Sequence, residues 1–341
     1  MHCTSDNKPK IIILAPGRAG DIITSEPIYR KVHLEHPELE VIFVTRKEYA
    51  DIMEHAPYIS RTVILSEKSE FEEYAAKFPA GTHIIRINLP TGKPEPGYVR
   101  DGYGNTYSLL NRSQYVNDLP MDNDDPVFYL ADDTALPEGL PEKYVVFHCC
   151  SGGRARQWQP EKFRALAMEC IERGIGVVEI GFGSVLEITH PLFVPLCGSR
   201  PMQELAVTIK NAVALVGIES SMAHIANCFH VPGFIVQGKL GDLPWYNLYC
   251  GMYGRMENLN VMRFYNSHPA DMPLVPAMFV FRQFLDGKPL SYQECDSYFL
   301  RAQLQIIESR WYNRLLAKIM EPVKRIQASL LFDRRPKRKK Q

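Results

Sequence analysis

The chain has 341 residues, 45% of them hydrophobic, a length that suits two domains of ordinary size with apolar material for two cores. Its 39 lysines and arginines balance 39 aspartates and glutamates, so no global field draws it to nucleic acid and any functional charge is local. The eight cysteines lack paired metal-ligand spacing, the N-terminus lacks an apolar signal-like stretch, and no run of about 18 apolar residues occurs, so the sequence reads as neither secreted, disulfide-stapled nor membrane-spanning.

The first informative segment is Ile11–Asp21, where an apolar strand enters a turn with two glycines, Gly17 and Gly20, and then a helix expected over residues 22–36. Gly-x-x-Gly-Asp is not the Gly-x-Gly-x-x-Gly of dinucleotide folds, and a carboxylate against a phosphate would repel it. Asp21 therefore reads either as chemistry at the sheet edge or as the N-cap of its helix. Strand-like runs at 11–15, 41–45, 61–65 and 84–87, separated by helical Pro27–His36 and Lys47–His55, predict a parallel sheet. Beyond residue 88 the chain turns rich in Gly and Pro and carries Tyr98, Tyr103, Tyr107 and Tyr115, which suits a binding loop or lid. The stretch 118–142, with Asp122, Asp124, Asp125, Asp132 and Asp133 among prolines, reads as a solvated linker rather than a metal site.

A second alternation follows: strand Tyr144–Cys149, helix Pro160–Arg173, strand Gly176–Ile180, helix Met202–Asn211, strand Ala212–Gly217, helix Ser221–Phe229 and strand Gly233–Val236. Two Rossmann-like halves imply a cleft between them. After the first of these strands come Ser151, Gly152, Gly153 and Arg156, small residues that let backbone approach a ligand and a planar cation that can clamp a phosphate. Glu187 follows the second strand, where it could bond ribose hydroxyls or simply sit on the surface. At Val216–Ala226 another strand meets a helix, and the helix start with Ser220 and Ser221 could hold an anion. His224 there is open to two readings, a ligand contact or a buried histidine bonded to a carbonyl.

At the C-terminus, Trp311, Leu315, Leu316, Ile319, Val323, Ile326 and Leu330 recur at near-helical spacing within residues 301–333, with Pro322 expected to kink the helix. The run 334–341 is basic and would attract an anionic membrane surface by about 1 kcal/mol per charge, or serve as a solubilising tail.

Taken in order, Gly17-x-x-Gly20-Asp21, then Arg156-x-Trp158 ahead of Pro160, then Glu219-Ser220-Ser221-x-x-His224-x-Ala226, resemble the heptosyltransferases of glycosyltransferase family 9. The likeness covers roughly residues 10–65 and 144–240. It departs from the family pattern in Arg for Lys at 156, in the inserted Gln159, in Glu for Asp at 219 and in Ser for Gly at 221. The resemblance implies an α/β chain of GT-B architecture, two Rossmann-like domains facing across a cleft. Residues 1–140 would form the acceptor side and 141–300 the nucleotide-sugar side, followed by the 301–333 helix and the 334–341 tail. It further implies inverting transfer without a metal or other cofactor, of heptose from ADP-heptose onto lipopolysaccharide or another bacterial surface glycan. The setting would be cytoplasmic, at the inner membrane as a peripheral protein.

In that scheme Asp21 is the base, while Ser151, Gly152, Arg156, Ser220 and Ser221 hold the nucleotide and its phosphates. Glu219 and His224 face the donor sugar, Glu187 the ribose, and Gly17 and Gly20 shape the first loop. Two alternatives share the architecture: a sugar-nucleotide 2-epimerase, which needs no acceptor, and a non-catalytic relative that binds a nucleotide sugar or glycan.

Overall fold

A computed structural model describes residues 9–87, 99–101, 104–106, 125–150, 156–237, 249–255, 259–263, 272–288, 290 and 294. Ser151 and Gly152, the four loop tyrosines, Asp122, Asp124, the 301–333 helix and the 334–341 tail lie outside the described residues.

The first sheet is parallel, in the order β3-β2-β1-β4, built from β1 (Lys10–Ala15), β2 (Glu40–Thr45), β3 (Arg61–Ile64) and β4 (His83–Arg86). Ile11 to Leu14 are all fully buried, as a central parallel strand covered on both faces requires. Its connections are α1 (Ala19–Thr24), α2 (Glu26–Glu35), a 3₁₀ helix (Lys47–Ile52) and α3 (Ser69–Ala75). A short antiparallel pair, β5 (Val99–Asp101) and β6 (Gly104–Thr106), lies in the region read as irregular.

The helix expected over 22–36 is in fact two helices, broken at Ser25. Pro27, lacking an N–H and crowding the carbonyl four residues back, cannot sit inside a continuous helix but is tolerated in the first turn of a new one. The capping alternative for Asp21 holds in altered form: α1 begins at Ala19 with Arg18 as N-cap, and Asp21, in the first turn, caps it by accepting the Arg18 N–H as the acid of a capping box.

The second sheet is also parallel, in the order β12-β11-β10-β7-β8-β9, from β7 (Tyr144–His148), β8 (Gly176–Gly181), β9 (Phe193–Cys197), β10 (Ala214–Ile218), β11 (Gly233–Gln237) and β12 (Leu259–Arg263). The helices α4 (Pro160–Glu172), α5 (Met202–Lys210), α6 (Ser221–Cys228), α7 (Gly251–Gly254) and α8 (Leu274–Leu285) accompany it. Pro195 interrupts the apolar run of β9, and it is tolerated because β9 is an edge strand. In each sheet the chain winds outward from its first strand and then returns to the other side. The reversal falls between β1 and β4 in one sheet and between β7 and β10 in the other. Such switch points leave a crevice at the carboxyl ends of the strands, where open α/β sheets bind ligands.

Among the described residues the apolar interior forms three clusters, not two. One lies on the outer face of each sheet, and the third joins them. The joining cluster runs from Ile11, Ile22 and Ile23 of the first half to Met222, Tyr249 and Tyr253 of the second. Polar bonds reinforce it: the Met202 N–H donates to Asp51 Oδ2 (3.1 Å), and Thr24 Oγ1 meets Cys250 Sγ (3.2 Å). The fully buried Glu26 collects the chain as it leaves the first half. Its carboxylate accepts from the Tyr58 and Tyr129 hydroxyls (2.9 and 3.0 Å), the Val127 N–H (2.9 Å) and Arg30 Nε (3.1 Å). A buried carboxylate with this many donors is satisfied, and so is structural.

Candidate active site

Helix α1 packs directly on α6, and this contact brings the first and third motifs together. Gly20 faces His224 so closely that a Cβ there would lie 3.0 Å from the imidazole Cδ2 and 3.2 Å from Nε2. A Cβ there would need the imidazole to give by a few tenths of an ångström, so Gly20 serves the approach of the two helices as well as the turn. Next to it Asp21 is partly exposed, and the Arg18 N–H donates to its Oδ2 at 2.8 Å. That bond fixes the carboxylate at the head of α1. Arg46 Nη2 donates to the Gly17 carbonyl (3.3 Å), steadying the turn from β2's end.

The second and third motifs meet through charge. Glu219, just past β10, is almost wholly buried, and its Oε2 lies 2.7 Å from Arg156 Nη1. Burial pushes the Glu219 carboxyl up; the Arg156 guanidinium opposes that push and the negative charge of Asp21 adds to it. All three motifs therefore share one electrostatic neighbourhood. Arg156 is held in place by its neighbour Trp158, which is buried edge-on to Phe163 with its Nε1–H donating to the Met272 carbonyl at 3.1 Å. The inserted Gln159 is absorbed as the exposed N-cap of α4, with Pro160 in the first turn, so it leaves the tryptophan anchor undisturbed.

His224 Nε2 stands 3.8 Å from Glu219 Oε1, and its ring tilts against Tyr249 with centroids 4.8 Å apart. Burial, helped by the nearby Arg156 cation, lowers its imidazole to about 3, so His224 is neutral at physiological pH. Its Nδ1 is buried without a hydrogen-bond partner among the described residues, as Nδ1 of a histidine awaiting a ligand would be. Of the two sequence readings of His224, the buried histidine is met in its burial but not in a carbonyl bond at Nδ1, which has no partner among the described residues.

Ser220 is the N-cap residue of α6, yet its hydroxyl does not cap. It shares a 2.9 Å hydrogen bond with His148 Nδ1 at the end of β7, across the switch point. Burial lowers His148 to about 4, so this ring is also neutral. The consequence is that the first amides of α6 carry no side-chain cap from Ser220, and Ser221 opens the helix partly exposed. His148 was not singled out in the sequence because it ends an apolar strand, and nothing local marks a partner 72 residues on.

Glu187 stands apart from the charge cluster. It is exposed, adopts a left-handed φ of 49°, and pairs with Arg164 Nη2 at 3.0 Å. The thiols nearby are inert: burial and the charge of Glu179 push Cys150 up and Cys197 to about 11, so neither is a thiolate nucleophile at neutral pH. Among the described residues no group of three or more His, Cys, Asp or Glu side chains is placed to hold a metal ion, and no helix is long and apolar enough to cross a membrane.

A model of glycosyltransferase family 9 (heptosyltransferase) matches residues 108–234, the stretch that carries Arg156, Glu219 and His224. No curated relative matches the chain. Among solved structures, the ADP-heptose lipopolysaccharide heptosyltransferase II of E. coli is 14% identical, with 86% of this chain and 99% of that one covered at a TM-score of 0.59. A glycosyl transferase family 9 protein from Veillonella parvula is likewise 14% identical, covering 87% of this chain and 98% of its own at a TM-score of 0.58. The E. coli heptosyltransferase WaaC, solved with ADP-2-deoxy-2-fluoro heptose, gives 14%, 82% and 99% at a TM-score of 0.55. The fold is therefore that of the GT-B heptosyltransferases, over nearly the whole length of each. The likeness read from three short motifs extends to the family-matched segment and to both sheets.

Proposed function

We propose that this chain, glycosyltransferase-like in its family match and its fold, is an inverting, metal-independent enzyme that moves heptose from ADP-heptose onto a lipopolysaccharide or other surface-glycan acceptor. The observation that carries the proposal is the meeting of the three motifs: Gly20 against His224, Arg156 on Glu219, and the charge of Asp21 acting on Glu219. The donor occupies the switch point of the second sheet, and the acceptor approaches over Asp21.

Asp21 takes the proton of the acceptor hydroxyl as its oxygen attacks the anomeric carbon from the face opposite the nucleotide. The new glycosidic bond forms as the bond to the diphosphate breaks, through a transition state of oxocarbenium character. The electron pair leaves on the ADP oxygen and the proton stays on Asp21. Negative charge growing on the leaving group is met by Arg156, by the uncapped amides at the start of α6 and by the loop that includes Ser151 and Gly152. A single donor of this kind contributes about 10²–10³ in rate.

Glu219 accepts from a donor-sugar hydroxyl. Neutral His224 offers one N–H and one acceptor to the same sugar, acting as a hydrogen-bond partner rather than a cation. The basic run 334–341 holds the enzyme near a membrane-anchored acceptor by attraction to anionic lipid.

Calorimetry with ADP, UDP, GDP and dTDP tests the assignment. ADP is expected to bind most tightly, to lose affinity in Arg156→Ala, and to be released when ADP-heptose is turned over. A preference for UDP would overturn the choice of donor, and no binding of any nucleotide would overturn the site.

A further inference from the structure

Among the described residues the most exposed large hydrophobic side chain is Phe182, at 89%. It does not sit on a loose surface turn. The loop that carries it, between β8 and residue 187, is built around the buried carboxylate of Glu179. Glu179 Oε1 accepts from the Val185 and Leu186 N–H groups (2.8 and 3.2 Å), and Oε2 accepts from the Ser184 hydroxyl (2.5 Å). From the side, Arg164 donates to the Leu186 carbonyl and to Glu187 Oε2. A buried carboxylate whose donors all come from one loop fixes that loop's shape.

The shape is also strained. Gly181 takes φ +141°, open to glycine alone, and Glu187 holds a left-handed φ of 49°, which an L residue other than Gly, Asn or Asp adopts only under strain. Strain held by several bonds around an exposed aromatic ring marks a presented surface.

Its position says what is presented. The loop leaves the carboxyl end of β8, the strand next to β7, and a Cβ on Gly181 would lie 3.7 Å from His148 Cδ2 and 3.9 Å from Cys150 Sγ. It therefore borders the segment that runs into Ser151 and Gly152 beside the switch point. In a Rossmann half the phosphates sit over the first strand-to-helix turn and the ribose reaches toward the end of the second strand, so the base lies farther along the same edge.

Resting on the donor site proposed above, we propose that Phe182 is the platform on which the donor's nucleobase stacks, and that Glu179 is the positioning residue that holds the platform in place. Stacking of a base on an aromatic ring is sequence-tolerant, so Phe182 supplies affinity for any purine or pyrimidine nucleotide and leaves the choice among bases to other groups.

The test is calorimetry on the full chain with two probes, ADP and inorganic pyrophosphate, which shares the diphosphate and lacks the base. Phe182→Ala is expected to weaken ADP about 10- to 100-fold, the range of one lost stack, while pyrophosphate affinity stays unchanged and Phe182→Trp retains ADP binding. Glu179→Ala, with Phe182 intact, is expected to give the same selective loss, and Glu179→Gln, which keeps an acceptor for the loop amides, to recover most of it. Equal ADP affinity in wild type and Phe182→Ala overturns the platform. So does a loss shared equally by ADP and pyrophosphate, which would mark a change in the whole site. If wild type binds neither probe, the donor site itself falls and the platform with it.

Discussion

Read outward from their switch strands, the two sheets have one order over their first four strands, β3-β2-β1-β4 against β9-β8-β7-β10, yet their carboxyl edges carry different chemistry. The edge of the second sheet is cross-braced by side chains: His148 to Ser220, Arg156 to Glu219, and Glu179 to the loop after β8. At the first sheet's edge Asp21 stands partly exposed, its carboxylate held by one backbone N–H, while Arg46 steadies the turn through the Gly17 carbonyl. The difference fits the roles proposed above for the two edges. A site that grips a polyanion gains from donors fixed before the ligand arrives, whereas a base must be free to exchange a proton with a group that comes and goes.

The comparison breaks most visibly at Asp21. Asp21→Asn keeps the size and the acceptor for Arg18 N–H but loses the base, so transfer should fall about 10²- to 10⁴-fold while ADP affinity by calorimetry hardly changes. If ADP binding fell in parallel, the two edges would not divide the labour.

Arg156→Ala addresses the braced edge. It should remove much of the ADP affinity and also leave Glu219 buried without its cation, lowering stability by about 1–3 kcal/mol in denaturant unfolding. Adding Glu219→Gln should return the stability without returning the affinity, which separates the brace from the grip.

Gly20→Ala probes the seam between the edges. Alanine ordinarily favours a helix over glycine by about 1 kcal/mol, but here its Cβ meets His224. The expected result is no gain in melting temperature and a roughly tenfold drop in kcat as Asp21 shifts relative to the donor. A stabilised, fully active variant would show the seam to be loose.

The smallest effect concerns pH. Folded His224 resists protonation down to about 3 while the unfolded chain takes a proton near the usual 6.5, so the unfolded state binds more protons in this window and stability falls as pH falls. Over the first unit below 6.5 the loss should be about 1 kcal/mol, and it should be absent from His224→Asn, so that it appears in full as the difference between the wild-type and variant stability curves.

Much of this arrangement was legible before any coordinates. Central parallel strands are buried on both faces, so β1, β7, β10 and β11 appear as apolar runs, β8 as one interrupted only by Glu179, and their positions were read to within a few residues. β9 escaped because Pro195 interrupts its run, and the break at Ser25 escaped because the apolar spacing continues through it. The candidate site residues were readable for a related reason: they sit at strand-to-helix junctions, where glycine and small polar residues punctuate the pattern. Their partnerships were not. That Arg156 meets Glu219, or that the Ser220 hydroxyl turns away from its helix toward His148, depends on which strands become neighbours, and no local spacing encodes that.

The apolar cluster that joins the sheets bears on how the chain is made. Ile22 and Ile23 of α1 are covered by Met222, Tyr249 and Tyr253, residues that leave the ribosome some two hundred positions later. A nascent chain ending near residue 140 would expose that face of α1 to water, so the early half waits, incompletely packed, for the late half to be synthesised. The face of α1 turned to the seam is therefore the part of the early half that stays open longest to water during synthesis.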